Sequence, residues 1–217
     1  MKVILIGAPG SGKGTQAKLL SERLGVPHIS TGDILRQNVR EGTELGRKAS
    51  PIMEAGGLVP DDLMVSMIAE RLKSGDVAGG FILDGFPRTV AQAEKLDTLL
   101  RADANGNGMK DLRVVHFSVP DEAIVSRITG RRSCQKCGAV YHIENNPPKV
   151  AGTCDLCGAT LVSRPDDTEV AVRKRLDAYR EQTVPVLDHY REQNVLRDVD
   201  GYGPVDEVFE RVEKSLR

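Results

Sequence analysis

This sequence predicts a doubly wound parallel α/β sheet of five strands, from two observations. Five short apolar runs, at residues 2–6, 27–30, 81–83, 113–119 and 194–199, show little of the polar alternation of a half-exposed strand. Strands covered on both faces read this way. Between these runs lie segments with apolar residues at helical spacing, and strands alternating with helices assemble into a parallel sheet.

Taken in order, Val3-Ile4-Leu5-Ile6 makes the first strand, followed by a glycine loop and a helix over 12–24. Ala17, Leu20 and Leu24 line one face of that helix, and Gly25 stands where a C′ glycine ends it. Residues 31–60 hold two helices with no strand between them and end in Ala55-Gly56-Gly57-Leu58-Val59-Pro60, an excursion from the sheet. A helix over 89–102 repeats Val90, Ala93, Leu96, Leu99 and Leu100. Residues 102–110 form a polar, glycine-containing loop with no assignable chemistry. A second excursion, 131–165, is rich in Cys, Gly, Pro and Asn. A long helix follows, with Asp167 as its N-cap and Pro185 as a kink or break.

Bulk properties exclude several classes. The 217 residues suffice for one domain with insertions, and 40% apolar with 28% charged residues is the balance of a soluble globular protein. A net charge of −1 gives no field to recruit nucleic acid or an acidic membrane. Aromatics at 4%, with no Trp, leave no evident platform for stacking bases. The opening apolar run is too short for a signal segment, and no run approaches the roughly 20 residues that span a bilayer. These features predict a cytoplasmic protein, where four clustered cysteines favour metal over disulfides.

Gly7-Ala8-Pro9-Gly10-Ser11-Gly12-Lys13-Gly14-Thr15, between a buried strand and a helix, has the spacing and context of a phosphate-binding loop. Glycines let backbone N–H groups wrap a phosphate, the helix N-terminus adds its dipole, and Lys13 adds a charge. Gly14 occupies the place where a Ser or Thr commonly binds magnesium, with Thr15 one position later. Asp84 ends the third strand, where ligands bind such sheets, and a carboxylate there can hold the water shell of Mg²⁺ on phosphates. Arg88 follows a Gly85-Phe86-Pro87 turn, where its fork can grip a phosphate.

The cysteines form two knuckles, Cys134/Cys137 and Cys154/Cys157, with sixteen residues between them and a glycine closing each, Gly138 and Gly158. Four thiolates favour tetrahedral Zn²⁺ with no open position, although iron, cobalt, disulfides or free thiols suit the same residues. Two lysines, no arginine and one aromatic between Cys134 and Cys157 make a poor nucleic-acid ribbon; a staple for a lid with no core of its own explains them better. His142 reads as a surface residue, and His28, His116 and His189 as structural residues without a partner pattern.

GAPGSGKGTQ at the start, STGDILR at 30–36, GFPRT at 85–89, and the cysteine insert followed by Arg164-x-Asp166-Asp167 together resemble the adenylate kinase family, in its bacterial long-lid, metal-bearing form. The likeness spans essentially the whole chain. It implies a P-loop NTPase-type core (1–29, 61–126, 166–217), a helical monophosphate-binding insert (30–60) and a metal-stapled lid (127–165). It implies ATP + AMP ⇌ 2 ADP, with Mg²⁺ alongside ATP, and a monomer. By it, Gly10, Ser11, Gly12, Lys13, Gly14, Thr15, Arg127, Arg131, Val140, Tyr141 and Gly201 face ATP. Thr31, Arg36, Gly57, Leu58, Val59, Gly85, Phe86, Pro87, Arg88, Gln92, Arg164 and Arg175 face AMP. Lys13, Asp84, Arg88, Arg131, Arg164 and Arg175 serve catalysis, while Arg173 and Arg180 read as solvated surface as readily as site residues. A kinase for UMP, CMP or GMP, and a P-loop or zinc-ribbon binder without turnover, are the alternatives; the arginine set argues against the binder.

Overall fold

The computed structural model describes residues 1–102, 108–109 and 111–217. Residues 103–107 and 110 of the expected polar loop lie outside the described residues. In chain order the elements are β1 (Lys2–Gly7), α1 (Lys13–Leu24), β2 (His28–Ser30), α2 (Thr31–Glu41), α3 (Glu44–Glu54), α4 (Asp61–Arg71), β3 (Phe81–Asp84) and α5 (Val90–Arg101). They continue as β4 (Leu112–Ser118), α6 (Asp121–Thr129), β5 (Arg131–Cys134), β6 (Val140–His142), β7 (Leu161–Val162), α7 (Glu169–Ala178), α8 (Val184–Glu192), β8 (Leu196–Asp200) and α9 (Val205–Ser215).

The main sheet has the order β2-β3-β1-β4-β8, and every pairing in it is parallel. β1 lies centrally, Ile4 beside Leu83 and Val114, and successive residues of β1 enter opposite layers. Ile4 and Ile6 pack with Leu35, Met64, Leu96 and Tyr190 from α2, α4, α5 and α8. Val3 and Leu5 pack with Ala17 and Leu20 of α1 and Val208 and Val212 of α9. Burial on both faces is why the strand carries no polar alternation. A smaller cluster joins α6 and α7 through Ile124, Ile128, Val172 and Leu176, with Ala8 of the glycine loop.

Two expectations are corrected. Asp167 does not cap the helix that follows it; Thr168 does, its hydroxyl accepting from Ala171 N at 3.3 Å, because the Asp167 carboxylate is turned inward onto Arg131. The insert at 131–165 is not without a core: Cys134, Ala139, Tyr141, Cys154 and Leu161 pack together over the three-stranded antiparallel sheet β6-β5-β7. The break expected at Pro185 is present. Residues Tyr179–Thr183 form a single π turn between α7 and α8, and Pro185 sits in the first turn of α8. A proline offers no N–H and crowds the carbonyl four residues back, so the helical ladder changes register ahead of it.

Candidate active site

The phosphate loop joins β1 to α1 through left-handed glycines. Gly10 has φ +80° and Gly12, the N-cap of α1, has φ +94°. A Cβ on Gly10 would stand 2.6 Å from Ile128 of α6, so this loop packs where only glycine fits. Lys13 is turned back on the loop, donating from Nζ to Gly7 O at 2.7 Å, Ala8 O at 2.8 Å and the buried Ser11 Oγ at 3.2 Å. Burial draws its ammonium down to about 8; Asp84 opposes that shift, and Arg88, Arg175 and Arg131 add to it. Asp84 at the end of β3 reaches the start of α1, where a Cβ on Gly14 would lie 3.3 Å from its Oδ2. Gly14 carries no hydroxyl, and Thr15 beside it is exposed. The residues fit a water-shelled Mg²⁺ held through Asp84 rather than a hydroxyl ligand at position 14.

Beside Asp84, Gly85 turns with φ +81° and Thr31 Oγ1 donates to the carbonyls of Asp84 (3.2 Å) and Gly85 (3.0 Å). Arg88 donates from Nε to Gly85 O at 2.7 Å, and its carbonyl accepts from Thr183 Oγ1 of the π turn at 2.9 Å. Burial, with Arg175 next to it, lowers Arg88 to about 10. Gln92 is fully engaged: Oε1 accepts from Arg88 N at 2.8 Å and Nε2 donates to Asp61 at 2.7 Å. Phe86, Pro87 and Val59 are buried, Gly57 and Leu58 half-buried. Arg36 donates to Asp33 at 2.6 Å.

From the other side come the arginines flanking the cysteine insert. Arg131 binds Asp167, whose side chain is fully buried, through Nε at 3.0 Å and through its Nη2. Arg164 donates from Nε to Ser133 Oγ at 3.0 Å, and Arg175 to Asp166 at 2.7 Å. Burial and the nearby Arg131 and Arg36 lower Arg164 to about 10; burial is also the main cause lowering Arg175. Arg127 donates to Gly201 O at 3.2 and 3.3 Å and lies 5.9 Å from the Tyr202 ring centre. A Cβ at Gly201 would meet Val119 at 2.8 Å. Lys13, Asp84, Arg88, Arg131 and Arg175 thus converge, with Arg36 and Arg164 at their margin. These half-buried cations are held by carboxylates, carbonyls and a hydroxyl, a concentration of positive charge suited to polyanions. Arg173 and Arg180 lie outside it, in exposed ion pairs with Glu169 and Asp177.

The four cysteine sulfurs lie within 4.8 Å of one another. Cys134 and Cys157 Sγ are 3.4 Å apart and Cys137 and Cys154 Sγ 3.5 Å, near the ~3.8 Å edge of a tetrahedron with 2.3 Å metal–sulfur bonds. Gly138 (φ +72°) and Gly158 (φ +70°) make the tight turns. Burial opposes the Cys154 thiolate, but hydrogen bonds from the Tyr141 hydroxyl and two backbone N–H groups carry it down to about 6. Tyr141 is thereby committed to the knuckle, with Asp155 N donating to its hydroxyl at 2.9 Å; Val140 beside it is exposed.

The adenylate kinase family model matches residues 5–195. The chain belongs to the adenylate kinase family. It is 50% identical over 216 residues to the adenylate kinase of Lachnospira eligens, covering all of both chains. It is 52% identical over 216 residues to that of Clostridium acetobutylicum, covering all of this chain and 99% of the relative. Over 217 residues it is 51% identical to that of Methanocella arvoryzae, again covering all of this chain and 99% of the relative.

Reasoning from residues alone gave Asp166 and Asp167 no part in holding the arginines, although both lie within three residues of Arg164. It also missed Asp61, which ties α4 to Thr89 and Gln92 at 2.7 Å each. The surface reading of His142 is corrected too. His142 is buried, within 3.2 Å of Ser126 O, because its imidazole fills the space beside Gly130. His28, His116 and His189 each have a carboxylate partner, Asp84, Asp198 and Asp97 respectively.

Proposed function

We propose that the family's reaction runs in the cleft where Lys13, Asp84, Arg88, Arg131 and Arg175 converge. The chain is a phosphotransferase that catalyses ATP + AMP ⇌ 2 ADP. The convergence of half-buried cations at the N-terminus of α1 carries the reading. Phosphoryl transfer passes through a loose transition state with charge on the equatorial oxygens, so positioning and cations supply the catalysis. The acceptor oxygen of AMP is already anionic and needs no general base.

In this reading the N–H groups of 10–15 and Lys13 cradle the ATP phosphates, with Arg127, Gly201 and the backbone at Val140–Tyr141 around the nucleoside. Thr31, Arg36, the 57–59 backbone, Gly85–Arg88 and Gln92 hold AMP. Arg88, Arg131, Arg164 and Arg175 leave their present partners for the transferring group. Mg²⁺, which adenylate kinases use with ATP, neutralises phosphate charge when bound, and Asp84 orients its water shell. Residues 1–29, 61–126 and 166–217 act as core, 30–60 as AMP insert and 127–165 as a lid that excludes water. The cysteine cage takes structural zinc, although its size also suits iron or cobalt. No helix among the described residues is long and apolar enough to cross a membrane. A cytoplasmic monomer without nucleic-acid or membrane partners completes the proposal, supported by the net charge of −1 and by a thiolate cage suited to a reducing compartment.

The test is a coupled assay of ADP formation with ATP and each monophosphate in turn. Turnover with AMP far above UMP, CMP and GMP is expected; fast turnover with UMP and none with AMP would sink the substrate assignment.

A further inference from the structure

We infer that Lys18 and Arg40 dock the first cysteine knuckle onto the core helix and the AMP insert, and so favour the closed arrangement that holds ATP. Two cations from separate parts of the chain reach this one knuckle. Lys18, on the helix that begins at Lys13, donates from Nζ to Gly138 O at 3.3 Å. Arg40, in the last turn of α2, donates from Nη1 to Gln135 O at 3.0 Å. Neither side chain has another hydrogen bond or ion pair among the described residues.

The knuckle's geometry makes it a receptor for such donors. Gly138 N donates to Cys134 O at 3.0 Å, closing a tight turn, and the Lys136 and Cys137 N–H groups point to the Cys134 sulfur. With its N–H groups directed inward, the knuckle presents carbonyls outward. What holds the knuckle also holds the arginines. Cys134 ends β5, which Arg131 begins, and Ser133 between them accepts from Arg164. Core helix, AMP insert and knuckle are therefore joined at two points, and the knuckle is joined rigidly to two of the catalytic cations. The inference rests on the reading of 127–165 as a closing lid.

The test compares Lys18→Met, Arg40→Met and their double variant with Lys18→Arg and Arg40→Lys, each of which keeps a cationic donor. Two quantities are read: kcat against KM for ATP, and energy transfer between dyes on noncanonical residues at Glu22 and at Leu156, which is 77% exposed. In the double Met variant KM for ATP rises about 3- to 10-fold, as two exposed charged hydrogen bonds warrant, with kcat not lowered and the closed population reduced. The conservative variants stay within about 2-fold of wild type in KM. Met variants that close and bind as wild type does, a KM rise that the conservative variants share, or a loss of kcat alone overturns the inference. A wild-type dye distance that ATP and AMP leave unchanged overturns the lid reading, and the inference with it.

Discussion

Removing the Asp167 carboxylate leaves unpaired a guanidinium whose side chain is only 16% exposed. Asp167 itself is fully buried and takes Arg131 Nε at 3.0 Å, Arg131 Nη2 and, at 3.4 Å, Arg164 N. Breaking a buried pair by deleting one partner costs about 3–5 kcal/mol. Arg131 can turn partly to water, which reduces the expected cost of Asp167→Leu to about 2–3 kcal/mol. For a chain of this length that is a fall of about 4–12 °C in Tm. Arg131→Met should cost about as much, because it strands the acid. The double variant, with two apolar side chains facing each other, should lose less than the sum, with a coupling of about 1–3 kcal/mol. Urea unfolding of all four proteins gives the cycle. Additivity within about 0.5 kcal/mol would refute the pairing as an energetic link.

The Lys13 ammonium, lowered to about 8, titrates between that value and the ~10.4 of the unfolded chain. Because the unfolded state holds this proton more tightly, the Lys13 contribution to stability rises with pH across that window and is least favourable below about 8. In the free enzyme only the charged form attracts phosphate, so kcat/KM for ATP should fall above pH about 8; Lys13→Arg should move that limb upward, and a flat profile to about pH 9.5 would contradict the assignment. Cys154→Ser should lower Tm by far more than it lowers kcat at moderate temperature. Loss of catalysis in a folded, metal-loaded variant would make the cage more than structural. Arg88→Ala should lower kcat as well as raise KM for AMP, whereas a KM effect alone would confine Arg88 to ground-state binding.

The parallel sheet was legible because its central strands β1 and β3 are apolar on both faces, and the phosphate loop because glycine spacing and element context coincide. Both signals are local. α4, α6 and α9 went unassigned although each follows a proline, Pro60, Pro120 or Pro204, with acids in its first turn. That is a recognisable helix start. Asp167 was misread because an acid ahead of a helix has the look of an N-cap, and only tertiary structure sends its carboxylate to Arg131, thirty-six residues earlier. The same holds for Tyr141 and His142, whose burial depends on a small three-stranded sheet that short apolar patches do not announce. Partners distant in sequence, such as Asp61 with Gln92 or Lys18 with Gly138, leave no periodic trace.

The central claim places the chemistry on Lys13 and the converging arginines, and it is tested most directly by Lys13→Met in a single turnover with ATP and AMP at saturation. Loss of one preorganised charge at the transferring phosphate should slow transfer about 10²- to 10³-fold in a protein of wild-type thermal stability. A transfer rate within about 3-fold of wild type would contradict the account.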